Sequence, residues 1–212
     1  MSIHIKTSGI ANLTDARYFA AKEVQFLGFC LDNADENFVQ PLVVKAIKEW
    51  VEGPQILGEF GMQSTEEIAD SIDNIGLNAV QLSFFSQANT DFLRTKTKIF
   101  REIIVEKTTS AAEIWQNIEH FGAQSDALLL DFEKNNISWT DIVKSQAFSV
   151  ELLQRACQKY VVFLSLKFSA SQLSGIISTL EPAGISLKGG EEEKVGVKSY
   201  DELDEIFDVL EE

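Results

Sequence analysis

Three short apolar runs end on a charged residue, and these residues are the first candidates for chemistry. DALLLD closes on Asp131, VVFLSLK on Lys167 and GISLK on Lys188. A carboxylate that ends a wholly apolar run is held partly out of water, which suits a general acid; its plainer use is to cap the loop that follows. Two lysines in equivalent places on a chain of net charge −15 point to an anionic ligand. Gly189 and Gly190 follow Lys188 directly and would let backbone N–H groups approach such an anion closely. The plainer alternative has both lysines solvated and neutralising Glu191, Glu192 and Glu193. Asp32, Asp35 and Glu36 form a further acidic stretch, which a solvated loop would also explain.

Other chemistries are excluded by what the chain lacks. His4 and His120 are the two histidines, too few for His-cluster metal sites and poorly placed for a histidine triad, so no metal is expected. Cys30 and Cys157 are too few for a disulfide framework and read as buried reduced thiols. Neither GxGxxG nor GxxxxGK[ST] occurs, and no cofactor is expected. With 18 Lys and Arg against 33 Asp and Glu, neither nucleic acid nor an anionic membrane surface is an expected partner. No run of ~18 apolar residues is present, and MSIHIKTSGI has neither a basic nor an apolar leader region, so a cytoplasmic protein is expected.

The elements that must carry these residues follow from periodicity. Apolar, often β-branched runs begin near Ile3, Gln25, Pro54, Asn78, Lys98, Asp126, Tyr160 and Gly184. Between them lie stretches of helical period such as Asn12 to Lys22, Pro41 to Val51, Glu66 to Ile75 and Ala111 to Phe121. Runs such as LGFCL, NAVQL and VVFLSL are almost wholly apolar, as parallel strands covered on both faces should be. Capping-box pairs Ser64 with Glu67, Ser110 with Glu113, Ser169 with Gln172 and Ser199 with Glu202 mark helix starts just after predicted strands. Eight strand-helix units without a linker predict one domain over residues 1–212, an α/β single (β/α)₈ TIM barrel of near-minimal length; an open doubly wound sheet is the alternative. Function in such a barrel sits at the C-terminal strand ends, here Ser8, Asp32, Glu59, Ser83, Glu106, Asp131, Lys167 and Lys188, and the ends of strands seven and eight often hold phosphate.

Several segments taken in order carry a resemblance. IKTSGIANLTDA near the start, LGF at 27–29, VQL at 80–82, LLLD at 128–131, Trp139 and GVKS at 196–199 resemble phosphoribosylanthranilate isomerase over Ile3 to Leu210. The resemblance implies a cofactor-free isomerase of tryptophan biosynthesis that performs an Amadori rearrangement. An acid opens the furanose ring to a Schiff base, and a base then removes the proton at C2. It further implies an acid at Asp131 and a base within K-x-C-G, a motif that reads Lys6, Thr7, Ser8, Gly9 here, with Ser8 in place of the cysteine. Loss of a general base costs ~10²–10⁴ in rate. The family's arginine after strand two is absent from LDNADENFV; like charges ~4 Å apart repel by ~1 kcal/mol in water and ~4 kcal/mol at a surface-like dielectric.

Further departures lie in QLS at 81–83, where the family has Gln-Leu-His, in DFEKNNISW, which lacks a glycine-rich segment, and in Leu166 and Lys167, which replace two glycines. KGGE at 188–191 replaces Ser-Ser-Gly. The sequence therefore predicts a family member whose original isomerase activity is weak or lost and whose partner is another small phosphorylated molecule, held by Lys167, Lys188, Gly189 and Gly190, with Asp131 and Ser8 at the catalytic positions. If active, it is an intramolecular aldose-ketose isomerase of sugar phosphates. A working isomerase with a substituted base such as Glu59 or Glu106, and a non-catalytic interaction barrel, are the alternatives, in either case as a monomer or homodimer.

Overall fold

In the computed structural model, which describes residues 3–189, 192–194 and 197–211, eight parallel strands close into a barrel. They are β1 (His4–Ser8), β2 (Phe26–Cys30), β3 (Gln55–Phe60), β4 (Ala79–Leu82), β5 (Lys98–Ile104), β6 (Ala127–Asp131), β7 (Val162–Ser165) and β8 (Gly184–Lys188). Each begins within two residues of its sequence-predicted start. Hydrogen bonding runs in chain order and closes where β1 pairs with β8, bringing Ser8 opposite Lys188. Around the outside run α1 (Leu13–Ala21), α2 (Pro41–Trp50), α3 (Thr65–Ile75), α4 (Thr90–Arg94), α5 (Ala111–Gly122), α6 (Trp139–Lys144), α7 (Val150–Lys159), α8 (Ala170–Leu180) and α9 (Asp201–Glu211). A short antiparallel pair, β9 (Glu192–Lys194) and β10 (Val197–Lys198), precedes α9.

Local signals explain most helix starts. Ser64 and Glu67 form a reciprocal capping box at α3, and Ser110 caps α5 by accepting from Glu113 N–H. Gln172 accepts from Ser169 N–H at α8, whereas Ser199 bonds Asp201 N–H rather than meeting Glu202. The long interval between β6 and β7 holds a 3₁₀ turn (Glu133–Asn135), α6 and α7, and a capping box of Ser138 and Asp141 starts α6.

Two cores follow from the period-2 alternation of the strands. Outward residues such as Leu27, Val80, Leu128 and Leu164 pack against the helices in one large cluster. Inward residues Phe26, Leu57, Ala79, Phe100, Ala127, Leu129 and Phe163 make a separate cluster that plugs the barrel floor. The rings of Phe26, Phe100 and Phe163 meet edge to face at 5.1–6.2 Å, a favoured aromatic arrangement. Gly184 is required here, because a Cβ would lie 2.2 Å from the Phe163 ring.

The last helix docks on the first and covers the closing seam of the barrel. Tyr18 stacks on Tyr200 at 3.9 Å, Tyr18 donates to Asp204 and Tyr200 to Asp15, and Lys22 pairs with Asp204 at 2.8 Å. Leu203 and Phe207 are buried while the acidic residues of α9 face out, which places part of the chain's negative charge on an outer surface. Among the described residues no helix is long and apolar enough to cross a membrane. Cys30 and Cys157 are free.

Candidate active site

One step of two residues beyond the floor, toward the C-terminal strand ends, the inward positions change from apolar to polar. Leu57 is followed by Glu59, Ala79 by Gln81, Phe100 by Glu102, Leu129 by Asp131 and Phe163 by Ser165, and all five polar residues line a cavity of about 690 Å³. Ser8, Cys30, Asp32, Asp35, Lys134, Lys188 and Gly189 are among the other residues that line it. The apolar plug thus fills the lower barrel and leaves the layer above it for these side chains to meet.

On the β1–β3 side, Ser8 is part of a closed triangle. Lys6 Nζ donates to Ser8 Oγ at 2.6 Å and to Glu59 Oε1 at 2.6 Å, and Ser8 Oγ donates to the same Glu59 oxygen at 2.7 Å. The Lys6 side chain is 0% exposed and that of Glu59 16% exposed, so the pair is nearly sealed from solvent, with Glu59 lining the cavity. Gly28, in the LGF segment, makes room for it: a Cβ there would lie 2.4 Å from Thr7 O and 2.7 Å from Glu59 Oε1.

Beside this triangle lies the acidic loop after β2. Asp32 Oδ1 accepts from Gln63 Nε2 at 2.8 Å and from Ala34 N–H, while its Oδ2 occupies the space a Cβ on Gly61 would need. Asp35 accepts from the backbone and side-chain N–H groups of Asn37. These carboxylates are held by their own loop, and Asp32 and Asp35 face the cavity whereas Glu36 is exposed outside its lining. The Cys30 thiol also faces it, but burial pushes the thiol up to about 11, so it stays protonated and is a poor base.

Across the cavity, Asp131 is buried and its Oδ1 accepts the Lys134 backbone N–H at 2.9 Å, the loop-capping bond anticipated from the sequence. Its remaining carboxylate face borders the cavity. The Lys134 ammonium meets Glu102 at 2.5 Å, and Lys188 Nζ lies 3.3 Å from Glu133, which also accepts from Ser165 Oγ. Gly189 N–H donates to Ser8 O, tying this rim to β1.

Not every sequence candidate arrives at the cavity. Lys167 lies two residues past β7, its side chain is exposed, and its backbone bridges to Ser138 and Trp139; it is not part of the lining. Glu106 is exposed beyond β5, and Gly190 lies outside the described residues. Ser83 reaches the rim but donates to Gly61 O. Glu102 and Lys134 were missed by reading strand ends alone. The signal for Glu102 was its even spacing from Phe100 and its place in an otherwise apolar inward series.

The geometry agrees with comparison to known proteins. Residues 5–209 match the family described as N-(5'phosphoribosyl)anthranilate (PRA) isomerase, nearly the entire chain. The chain belongs to this isomerase family. An N-(5'-phosphoribosyl)anthranilate isomerase of Maridesulfovibrio salexigens is 24% identical, with 98% of each chain covered. The phosphoribosyl anthranilate isomerase of Thermus thermophilus superposes with a TM-score of 0.76 at 22% identity, covering 99% of this chain and 98% of that one. A further family structure, solved with reduced 1-(o-carboxyphenylamino)-1-deoxyribulose 5-phosphate, gives 0.75 at 18% identity with 99% and 98% coverage. Membership in the phosphoribosylanthranilate isomerase family places this chain among barrels of tryptophan biosynthesis.

Proposed function

We propose that this chain is an acid–base aldose-ketose isomerase of the family type in which Asp131 is the acid and Glu59, steadied by Ser8 and Lys6, stands in for the missing cysteine base. The observation that carries this reading is the 2.7 Å hydrogen bond from Ser8 Oγ to Glu59 Oε1 at the rim of the cavity that Asp131 also faces. A serine hydroxyl without a histidine is a poor base, but an ionised carboxylate has acceptor positions to spare and can take a proton. Asp131 protonates the ring oxygen as the amine nitrogen's electron pair breaks the C1–O bond and forms the Schiff base. Glu59 then removes the C2 proton to give an enaminol, which gains a proton at C1 as its 2-hydroxyl loses one, leaving the ketose. No cofactor enters these steps.

The substrate is a small phosphorylated aminosugar. Its phosphate would sit at Lys188 and Gly189, which line the cavity. Turnover of phosphoribosylanthranilate itself is weak in this reading, because Asp32 and Asp35 repel a carboxylate where the family's arginine would attract one. The protein works in the cytoplasm, with its two thiols reduced.

Assay of the purified chain with phosphoribosylanthranilate tests this. Slow but measurable turnover is expected, falling by ~10²–10⁴ in Glu59→Gln and much less in Ser8→Ala. Undiminished turnover in folded Glu59→Gln would exclude Glu59 as base, and turnover at the rate of an ordinary family member would exclude the weakened site.

A further inference from the structure

Glu102 has no part in the proposed reaction, yet its placement gives it one. It stands on the inward face of β5, 2% exposed, and lines the same cavity as Asp131. Strand register sets Glu102 opposite Leu129 of β6, which makes Asp131, two residues further on, its diagonal neighbour on the same face. One residue binds both carboxylates: the Lys134 backbone N–H donates to Asp131 Oδ1 at 2.9 Å and its ammonium to Glu102 Oε1 at 2.5 Å. We propose that Glu102 is a second proton-carrying group of the cavity, coupled to Asp131 through Lys134, so that two carboxylates share the acid function.

The physical basis is mutual restraint. Two carboxylates in one poorly hydrated space do not ionise independently, and a single cation between them can balance only one negative charge. The groups acting on Glu102 are Lys134 and Asp131 from β6 and the turn after it, and Glu59 from β3. Burial pushes the Glu102 carboxyl above the usual carboxylate range, Lys134 opposes this, and Asp131 and Glu59 add to it. Lys134 is held as an ammonium, since Glu102, Asp131 and Glu59 together outweigh its own burial. A proton held on Glu102 therefore lies beside the group that must deliver one to the substrate, with Lys134 bound to both.

This inference rests on reading the cavity as an acid–base site, but its test requires no turnover. Side-chain carboxyl carbons of the uniformly ¹³C-labelled full chain are followed by NMR against pH, with the signal lost in Glu102→Gln identifying Glu102. The Glu102 midpoint is expected above the ordinary glutamate range, lower in Asp131→Asn and higher in Lys134→Met. A midpoint in the ordinary range, or one unmoved by Asp131→Asn, overturns the coupling. Asp131→Asn keeps size and shape, so it decides the matter even if Lys134→Met does not fold. Loss of turnover in Glu59→Gln is a separate reading, and either result can fail while the other stands.

Discussion

The two walls of the cavity use the same chemistry, lysine against glutamate, at opposite exposures. On the β1–β3 wall Lys6 is 0% exposed and locked to Glu59 and Ser8, with Asp32 pinned over Gly61 beside them. On the β5–β8 wall Lys134 and Lys188 are 46% and 50% exposed and reach inward from the rim to Glu102 and Glu133. A buried pair is costly to break because the survivor is left charged without water, which holds for Glu102 as well as Lys6, whereas the more exposed Lys188–Glu133 pair can be hydrated at lower cost. The first wall is therefore the more rigid one, and it carries the proposed base. On the second, Lys188 is the more readily freed lysine, which is why the proposed phosphate site is placed there.

The sharpest way to break this contrast is Glu59→Gln, which strands Lys6. A loss of ~3–5 kcal/mol is expected from urea unfolding, and a midpoint unchanged from the native chain would show that the inner pair is no frame at all. Gly28→Ala attacks the same wall by volume, since the added methyl meets Thr7 O and Glu59 Oε1. It should cost ~1–3 kcal/mol, with a fall in turnover because Glu59 is displaced; full activity would remove Glu59 from the chemistry.

Lys188→Ala probes the other wall and should change stability by no more than ~1 kcal/mol. Phosphate-dependent thermal stabilisation should nevertheless disappear in this variant, and a shift equal to that of the native chain would move the anion site elsewhere. The smallest effects are in pH dependence, and two carboxylates should differ in sign. Glu102 holds its proton more tightly folded than unfolded, so its contribution is present at low pH and is lost as pH rises from the usual carboxylate range through its raised value. Stability of Glu102→Gln relative to the native chain should then improve over that rise. Asp204, held low by hydrogen bonds from Lys22 and Tyr18, behaves oppositely: its contribution is present above the unfolded carboxylate value and is lost as pH falls through the lowered one. Asp204→Asn should flatten the acid side of the stability curve, and an unchanged slope would deny the clasp between α1 and α9 any role in it.

Much of the fold was legible because its signals are local. Strand starts came from apolar runs, helix starts from Ser-x-x-Glu pairs, and the serine in K-T-S-G stood out against the family pattern without any structure. The site was legible where a residue sits on a strand end, as Asp131 and Lys188 do. It was misread where the chain leaves the strand early: β7 ends at Ser165, so Lys167 is carried over to Ser138 and Trp139 instead of the cavity. Lys134 was out of reach for the opposite reason, since only the 3₁₀ turn after β6 folds it back over the barrel mouth.

The order of strands and helices, the closed barrel they predict and the serine in place of the family's cysteine were all determined by the sequence alone, since they depend on residue type and short-range period. Which side chains meet was decided by the tertiary structure. Ser8 and Glu59 are 51 residues apart, and Glu102 and Lys134 are 32 apart. Barrel closure and strand register bring each pair together, and the aromatic floor confines both to the polar layer that lines the cavity.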